Sequence, residues 1–283
     1  MKIVKFLGGL GNQMFQYAFY RSLQQQFKVK ADLSGFKDYS HHHGFELTKV
    51  FGIPVVQASA FELRLYQAEA RDWLTRKLRR LYGTKGAAYN EPEEFGYDPT
   101  IYQDASPRYF WGYWQHYRYI QQVEEQLREA FRFREPLTGS NAVFLDRLQH
   151  QPSVAVHVRR GDYLDHPVLG GICDLDYYLK AIQLMKDRLG NPLLVFFSND
   201  SAWCRQYLWE ENAVYVDWNK NSDSYKDMQL MSHCHHYIIA NSSFSWWGQW
   251  LNRNPDKIVI SPSRWVNTDA DPAALILPHW IQL

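Results

Sequence analysis

From Pro152 onward the sequence alternates short apolar runs with stretches whose apolar residues recur every three or four positions. Ser153–Val158, Leu193–Phe197, Val214–Val216, Tyr237–Ala240 and Lys257–Ile260 read as strands. Asp176–Leu189, a Trp-containing segment after Asp200, Tyr225–Cys234 and Trp246–Asn252 read as the helices between them. Strands separated by helices run parallel, since antiparallel neighbours need only a tight turn, so this half is a doubly wound α/β sheet. The N-terminal half begins in the same style. Lys2–Leu7 is a strand, Gly8–Gln13 a glycine turn, and a helix follows over 13–27 with Phe15, Phe19, Leu23 and Phe27 every fourth residue. Val29–Leu33 is a second strand. Residues 83–107, rich in Gly, Pro, Glu and Asp, read as loop, and the turn-rich Pro136–Asn141 divides the chain into 1–140 and 141–283.

Four unusual segments share one address on this plan. Gly8–Asn12, His157–Tyr163, Ser198–Asp200 and Asn241–Ser245 each follow the C-terminal end of a strand, where open α/β sheets bind ligands. Because they come from both halves, they predict one cleft between two Rossmann-like domains. The adjacent Arg159 and Arg160 suit a diphosphate, whose oxygens match the guanidinium fork. The other reading is an Arg–Asp ion pair that ties the loop down. Ser242, Ser243 and Ser245 offer hydroxyls and backbone N–H groups to an anion, or simply cap the helix at Trp246. Asp200 and Asp227 can pair with ribose or base edges; Asp227 is equally a surface acid within its helix.

Several other classes fit poorly. With 31 basic and 30 acidic side chains the formal net charge is +1, which gives no bulk attraction to nucleic acid. The three cysteines have no C-x-x-C spacing, so neither a disulfide framework nor a zinc knuckle is expected. The N-terminal apolar run is too short for a signal peptide and no window reaches a membrane span, so a soluble cytoplasmic protein is expected. Gly9-x-Gly11 with Asp32 imitates a dinucleotide fingerprint, but Met14 stands where the third glycine belongs. His41-His42-His43 and His233-Cys234-His235-His236 lack a second ligand set, and Asp174-Leu175-Asp176 suits a helix cap better than a metal. The aromatic run Tyr109–Tyr117 either stacks on a sugar or forms a core strand and the start of a helix. A helix over 61–82, with Trp73, Leu74, Leu78 and Leu81 on one side, carries Arg71, Arg76, Lys77, Arg79 and Arg80. It is either an ordinary surface helix or one whose basic stretch, 64–82, rests on an anionic membrane, which would make the protein peripheral to the inner membrane.

Taken together, the motifs resemble the bacterial α-1,2-fucosyltransferases, glycosyltransferase family 11. The resemblance rests on Gly8–Tyr17, Gly112-Tyr113-Trp114-Gln115, His157–Tyr163, Phe197–Asp200, Asn241–Trp247 and Pro262–Trp265, in family order over nearly the whole length. It implies a GT-B-type fold of two Rossmann-like domains whose parallel sheets face a central cleft, with the acceptor on the N-terminal side. It implies GDP-L-fucose as donor, no metal or other cofactor, and inverting transfer to the 2-hydroxyl of a terminal galactose on a glycan. By this similarity Arg159 grips the β-phosphate, His157 and Asp227 bind guanosine, and Ser242, Ser243 and Phe244 line the phosphate and base pocket. Gly9, Gly11, Arg160, Ser198, Asp200 and Asn241 complete the donor set, and Trp114 and Gln115 serve the acceptor. Asn12 lies beside the reacting sugar, and Arg160 becomes the loop's structural partner to Asp162. The base for the acceptor hydroxyl stays open among Asp162, Asp165, His166 and Asp174, with Asp162 included in the catalytic set. Oligomeric state is not legible.

Overall fold

A computed structural model of the chain describes residues 1–36, 43–67 and 72–283. His41, His42 and Arg71 lie outside the described residues. The chain divides into Met1–Arg134 and Glu135–Leu283. The sequence places that division at 140; residues 135–140 instead go with the second unit, where Gln229 Nε2 donates to the Glu135 carbonyl at 3.1 Å.

In the first unit β1 (Lys2–Lys5), α1 (Leu10–Gln24) and β2 (Val29–Asp32) follow in order. The helices α2 (Leu47–Phe51), α3 (Ala60–Tyr66) and α4 (Trp73–Leu81) precede β3 (Ala88–Asn90) and β4 (Arg108–Trp111). α5 (Tyr117–Gln121) and α6 (Glu124–Ala130) close the unit. The sheet runs β2-β1-β4-β3, all parallel, so the strand order reverses between β1 and β4. That reversal opens a crevice at the strand ends, since the connections on either side leave in opposite directions. β3 lies inside the segment expected to be loop. α1 begins three residues earlier than expected, directly at the glycine turn.

The second unit contains α7 (Ser140–Gln149), β5 (Ser153–Val158), α8 (Leu175–Leu189), β6 (Leu193–Ser198), α9 (Ser201–Tyr207) and β7 (Ala213–Val216). α10 (Tyr225–Met231), β8 (His236–Ile238), α11 (Ser243–Leu251), β9 (Val259–Ser261) and β10 (Ile281–Gln282) follow. Its sheet order is β10-β9-β8-β5-β6-β7, again all parallel, with the reversal between β5 and β8. Every residue of β5 is buried, as a central parallel strand covered on both faces requires. Val154, Val156 and Val158 pack with Tyr178, Ala181, Ile182 and Met185 of α8. Strand alternation therefore turns His157 to the opposite face of the sheet.

Candidate active site

In the second unit the turns after β5, β6 and β8 meet. Gly161 has φ +43, and a Cβ there would stand 2.5 Å from Asn199 Nδ2, so glycine alone lets these two turns touch. The Arg160 N–H donates to Asn199 Oδ1 at 2.9 Å across that contact. Arg160 Nε donates to Asp200 Oδ2 at 3.3 Å, and its guanidinium lies 4.1 Å from the Trp203 ring centre. Arg159 Nη2 pairs with Asp162 Oδ2 at 2.8 Å. The expected Arg160–Asp162 pairing is thus wrong. The short helical turn over Gly161–Tyr163 folds Asp162 back toward Arg159, while Arg160 turns to the β6 end.

What this arrangement leaves over is as informative as what it engages. Arg159 Nε and His157 Nδ1 are buried and have no hydrogen-bond partner among the described residues. A buried polar nitrogen without a partner costs about 1–3 kcal/mol, and these two lie together at the end of β5, where a ligand would satisfy both. Burial, helped by the Arg159 charge, pushes the His157 pKa down to about 3, so the imidazole is neutral. Its ring lies 5.7 Å from that of Phe244 in α11. Ser242 caps α11, its hydroxyl accepting from Phe244 N at 3.3 Å, and Ser243 opens the helix. The positive end of α11 therefore lies beside the His157 ring. Tyr163, whose ring sits 5.2 Å from the Arg159 guanidinium, hydrogen-bonds with Ser242, joining the β5 and β8 turns.

Other expected donor residues work inside the protein. Asn241 is buried, donates to the Leu169 and Trp265 carbonyls at 3.1 and 3.0 Å, and accepts from the Cys173 thiol at 3.6 Å. Ser198 accepts from Asp200 N at 2.9 Å, and Asp200 caps α9 by accepting from Trp203 N at 3.1 Å. With its other oxygen on Arg160, Asp200 acts as a bracket for the turn. Asp227 is not a surface acid. Burial, partly offset by the Asn219 hydrogen bond, raises its pKa to about 7. Asn219 Nδ2 donates to Asp227 Oδ1 at 2.8 Å and to Asn141 Oδ1 at 2.9 Å, while Asn141 Nδ2 returns a bond to Asn219 Oδ1 at 2.7 Å. The Trp218 indole N–H, which can only donate, gives to Asn141 Oδ1 at 2.7 Å and so fixes which way both amides face.

In the first unit the corresponding turn is closed by side-chain amides. Gly8 has φ +77, and a Cβ there would meet Asn12 Nδ2 at 2.7 Å. Gly9 caps α1, which begins at Leu10 and contains Gly11 and Asn12 in its first turn. Gln13 Nε2 donates to the Gly8 and Gly44 carbonyls at 2.9 and 2.8 Å, and Gln13 Oε1 accepts from Glu46 N at 2.8 Å. Gln16 accepts from Leu7 N at 3.0 Å and donates to the Gly112 carbonyl at 3.1 Å, stitching the β1 and β4 ends. Gln115 Nε2 donates to Asn12 Oδ1 at 2.9 Å, which brings these two expected residues together at the strand-order reversal. Trp114 does not belong with them. It is 1% exposed and stacks on Phe19 at 4.1 Å, so it is a core residue and presents no face to a sugar. Its φ of +56 swings it inward, and Glu91 holds the strained turn by accepting from Tyr113 N and Trp114 N at 2.7 and 3.1 Å. The exposed rings of that stretch are Trp111 and Tyr113. Asp32 is also internal: it accepts from Tyr109 Oη at 2.6 Å and Ser34 N at 2.8 Å, which removes the acid that a dinucleotide ribose would need.

The model of glycosyl transferase family 11 matches residues 2–283. The chain belongs to this family. An α-1,2-colitosyltransferase of Escherichia coli is 33% identical over 276 residues, covering 93% of this chain and 91% of the relative. A mouse galactoside 2-α-L-fucosyltransferase is 26% identical over 296 residues, covering 99% of this chain and 73% of the relative. In fold, the chain is similar to the fucosyltransferase NodZ from Bradyrhizobium, with TM-score 0.51, 14% identity and coverage of 88% and 93%. NodZ has also been solved after soaking with GDP-fucose.

For a family 11 enzyme, the residues that sequence reasoning missed are mostly carboxylates and amides of the frame. Glu91 is pushed up to about 6 by burial despite its two backbone bonds. Glu46, also raised by burial, accepts from the Leu10 N–H at the start of α1. Asn141, Asn219 and Trp218 have no periodic signature. Of the four candidates for the base, His166 Nδ1 accepts from Val168 N and Leu169 N, Asp174 caps α8 and Asp162 holds Arg159. Among the described residues no cluster of three metal-ligating side chains occurs. Asp174 and Asp176 are engaged with Tyr177 N and Lys180 respectively.

Proposed function

We propose that this family 11 glycosyltransferase moves L-fucose from GDP-β-L-fucose to the 2-hydroxyl of a terminal galactose on an oligosaccharide, with inversion and without a metal. The observation that carries the reading is the pair of buried, unpartnered nitrogens, His157 Nδ1 and Arg159 Nε, beside the start of α11. A departing nucleoside diphosphate gains negative charge as the sugar becomes oxocarbenium-like. Fixed guanidinium and helix N–H groups in a site of low dielectric stabilise that charge most in the transition state. The neutral His157 suits a hydrogen bond to the guanosine, and Asp227 suits the paired N–H groups of a guanine edge. The first unit, with Asn12 and Gln115, serves the acceptor. The α-1,2 linkage is supported by the names of both relatives, and the galactose by that of the mouse enzyme. Colitose transfer is the second reading, favoured by the 33% identity to the colitosyltransferase. We place the enzyme in the reducing cytoplasm, which its three free cysteines suit; fractionation of cells into soluble, membrane and secreted pools checks this.

The test is incubation with GDP-fucose and lactose, with and without EDTA, following GDP release and product linkage. A 2-fucosylated galactoside formed equally well in EDTA is expected. Turnover only with a nucleotide-activated colitose would select the second reading. No turnover of either donor over a panel of galactosides, with no GDP binding by calorimetry, would sink both.

A further inference from the structure

α4 wears its apolar side chains on the outside. At 3.6 residues per turn, Thr75, Leu78 and Arg79 fall on one arc of the helix and Trp73, Leu74, Arg76, Lys77, Arg80 and Leu81 on the rest. The first three face protein. Thr75 is buried, Leu78 packs against the cluster of Ile3, Leu65, Tyr66 and Tyr109, and Arg79 donates to the carbonyls of Leu65 and Arg64 at 3.1 Å each. The outer arc is open: Trp73 is 68% exposed, Leu74 56% and Leu81 76%. Half-exposed Phe61 of α3 touches half-exposed Tyr82 edge to face at 6.5 Å and extends the patch.

The charges on this arc have one sign. Arg76, Lys77 and Arg80 are interleaved with Trp73, Leu74 and Leu81, and the helix itself contains no acid. Among the described residues of α3 and its connection to α4, both carboxylates are engaged. Asp72 caps α4 and pairs with Arg64 at 2.8 Å, and Glu62 pairs with Lys30. Lys77 Nζ sits 5.4 Å from the Trp73 ring centre, a cation over an aromatic face in the open.

We propose that the outer face of α4, with Phe61 and Tyr82, docks on an anionic lipid surface. An apolar stripe interleaved, within α4, with cations matches the boundary between acyl chains and lipid phosphates. Trp and Leu enter the boundary while long basic stems reach back to the headgroups. Among the described residues no helix is long and apolar enough to cross a membrane, so this is contact at the surface. The inference does not rest on the transfer reaction proposed above.

The test is co-sedimentation of the full chain with vesicles of phosphatidylcholine alone or with about one-third phosphatidylglycerol. Each basic side chain near an anionic surface contributes about a fivefold factor, so the wild type should prefer the anionic vesicles by about a hundredfold. Arg76→Glu/Lys77→Glu/Arg80→Glu should abolish that preference, and Leu74→Ser/Leu81→Ser should lower binding about tenfold or more. Both variants should keep the wild-type melting temperature and the wild-type rate on a soluble acceptor. Equal partitioning on both vesicle types, or undiminished binding of the charge-reversed variant, would overturn the proposal. So would a wild-type dimer in sedimentation, split by Leu74→Ser/Leu81→Ser, with no vesicle binding; that result would give the face to a second copy of the chain.

Discussion

The two units place a turn at the same topological position, the strand-order reversal of a parallel sheet, and furnish it in opposite ways. In the first unit Gln13 and Gln16 have both ends of their amides bonded to backbone, and Asn12 holds Gln115. In the second, two arginines sit together with one buried Nε and one buried imidazole nitrogen unmatched. One turn is built to hold a shape and the other to hold charge. The first unit also has an unmatched buried nitrogen, the Trp114 indole, but it is enclosed in a stack of rings, whereas the Arg159 and His157 nitrogens of the second unit lie beside Arg160 and the start of α11. The comparison breaks most readily at Arg159. Arg159→Ala should lower kcat by about a hundred- to a thousandfold, the effect of removing one preorganised donor to a developing anion. Its ion pair with Asp162, a residue 58% exposed at the side chain, should add little to stability, so the melting temperature should hardly move. Initial rates at saturating donor decide it, and a near-normal rate would return Arg159 to tying down the loop.

The matching change in the first unit should behave in the reverse way. Gln16→Leu leaves the Leu7 N–H and the Gly112 carbonyl without partners at a fully buried position. Each orphaned group costs about 1–3 kcal/mol, so unfolding in urea should show a loss of about 2–6 kcal/mol. The residual folded enzyme should retain most of its kcat. If stability were unchanged and kcat fell as far as in Arg159→Ala, the first turn would be chemical as well as structural.

How much of this was legible follows the same division. β5 and β6 could be read because a strand covered on both faces must be apolar throughout. The four strand-end motifs could be placed once those strands were known. β3 could not, because Ala-Tyr-Asn has no pattern of its own and is a strand only through its register with Tyr109–Trp111. Periodicity on α4 identifies a face but not whether protein covers it. There Thr75, Leu78 and Arg79 make the contact and the apolar stripe stays outside. Trp114 is hard to place from sequence for a related reason. In a run of six aromatics only the backbone decides which ring turns inward, and a left-handed φ at Trp114 is not visible in residue types. The Asn141–Asn219 pair joins positions far apart in sequence, and polar networks of that kind leave no spacing to read.

That network supplies the smallest and sharpest effect. Asp227 has a folded pKa of about 7, above the ordinary carboxylate value, because burial disfavours its charge. The folded state without ligand therefore holds its proton more tightly than the unfolded chain. Its stability contribution is present below about pH 4 and declines as pH rises to about 7. If Asp227 reads a guanine edge, GDP selects the ionised form, so affinity should fall up to about tenfold per pH unit below 7. Asp227→Asn should flatten both trends, shown by the difference between wild type and variant in calorimetric GDP binding and in unfolding free energy from pH 5.5 to 8. Trp218→Phe is the finer test. It removes the bond that fixes the Asn141 amide, worth about 0.5–1.5 kcal/mol. With the amides free to flip, Asn219 no longer always presents its NH2 to Asp227. GDP binding should weaken about two- to tenfold, and its pH midpoint should move up, since Asp227 loses the hydrogen bond that favours its charge. An unchanged midpoint with weaker binding would mean that Trp218 merely packs against Phe144, whose ring it meets edge-on at 5.9 Å.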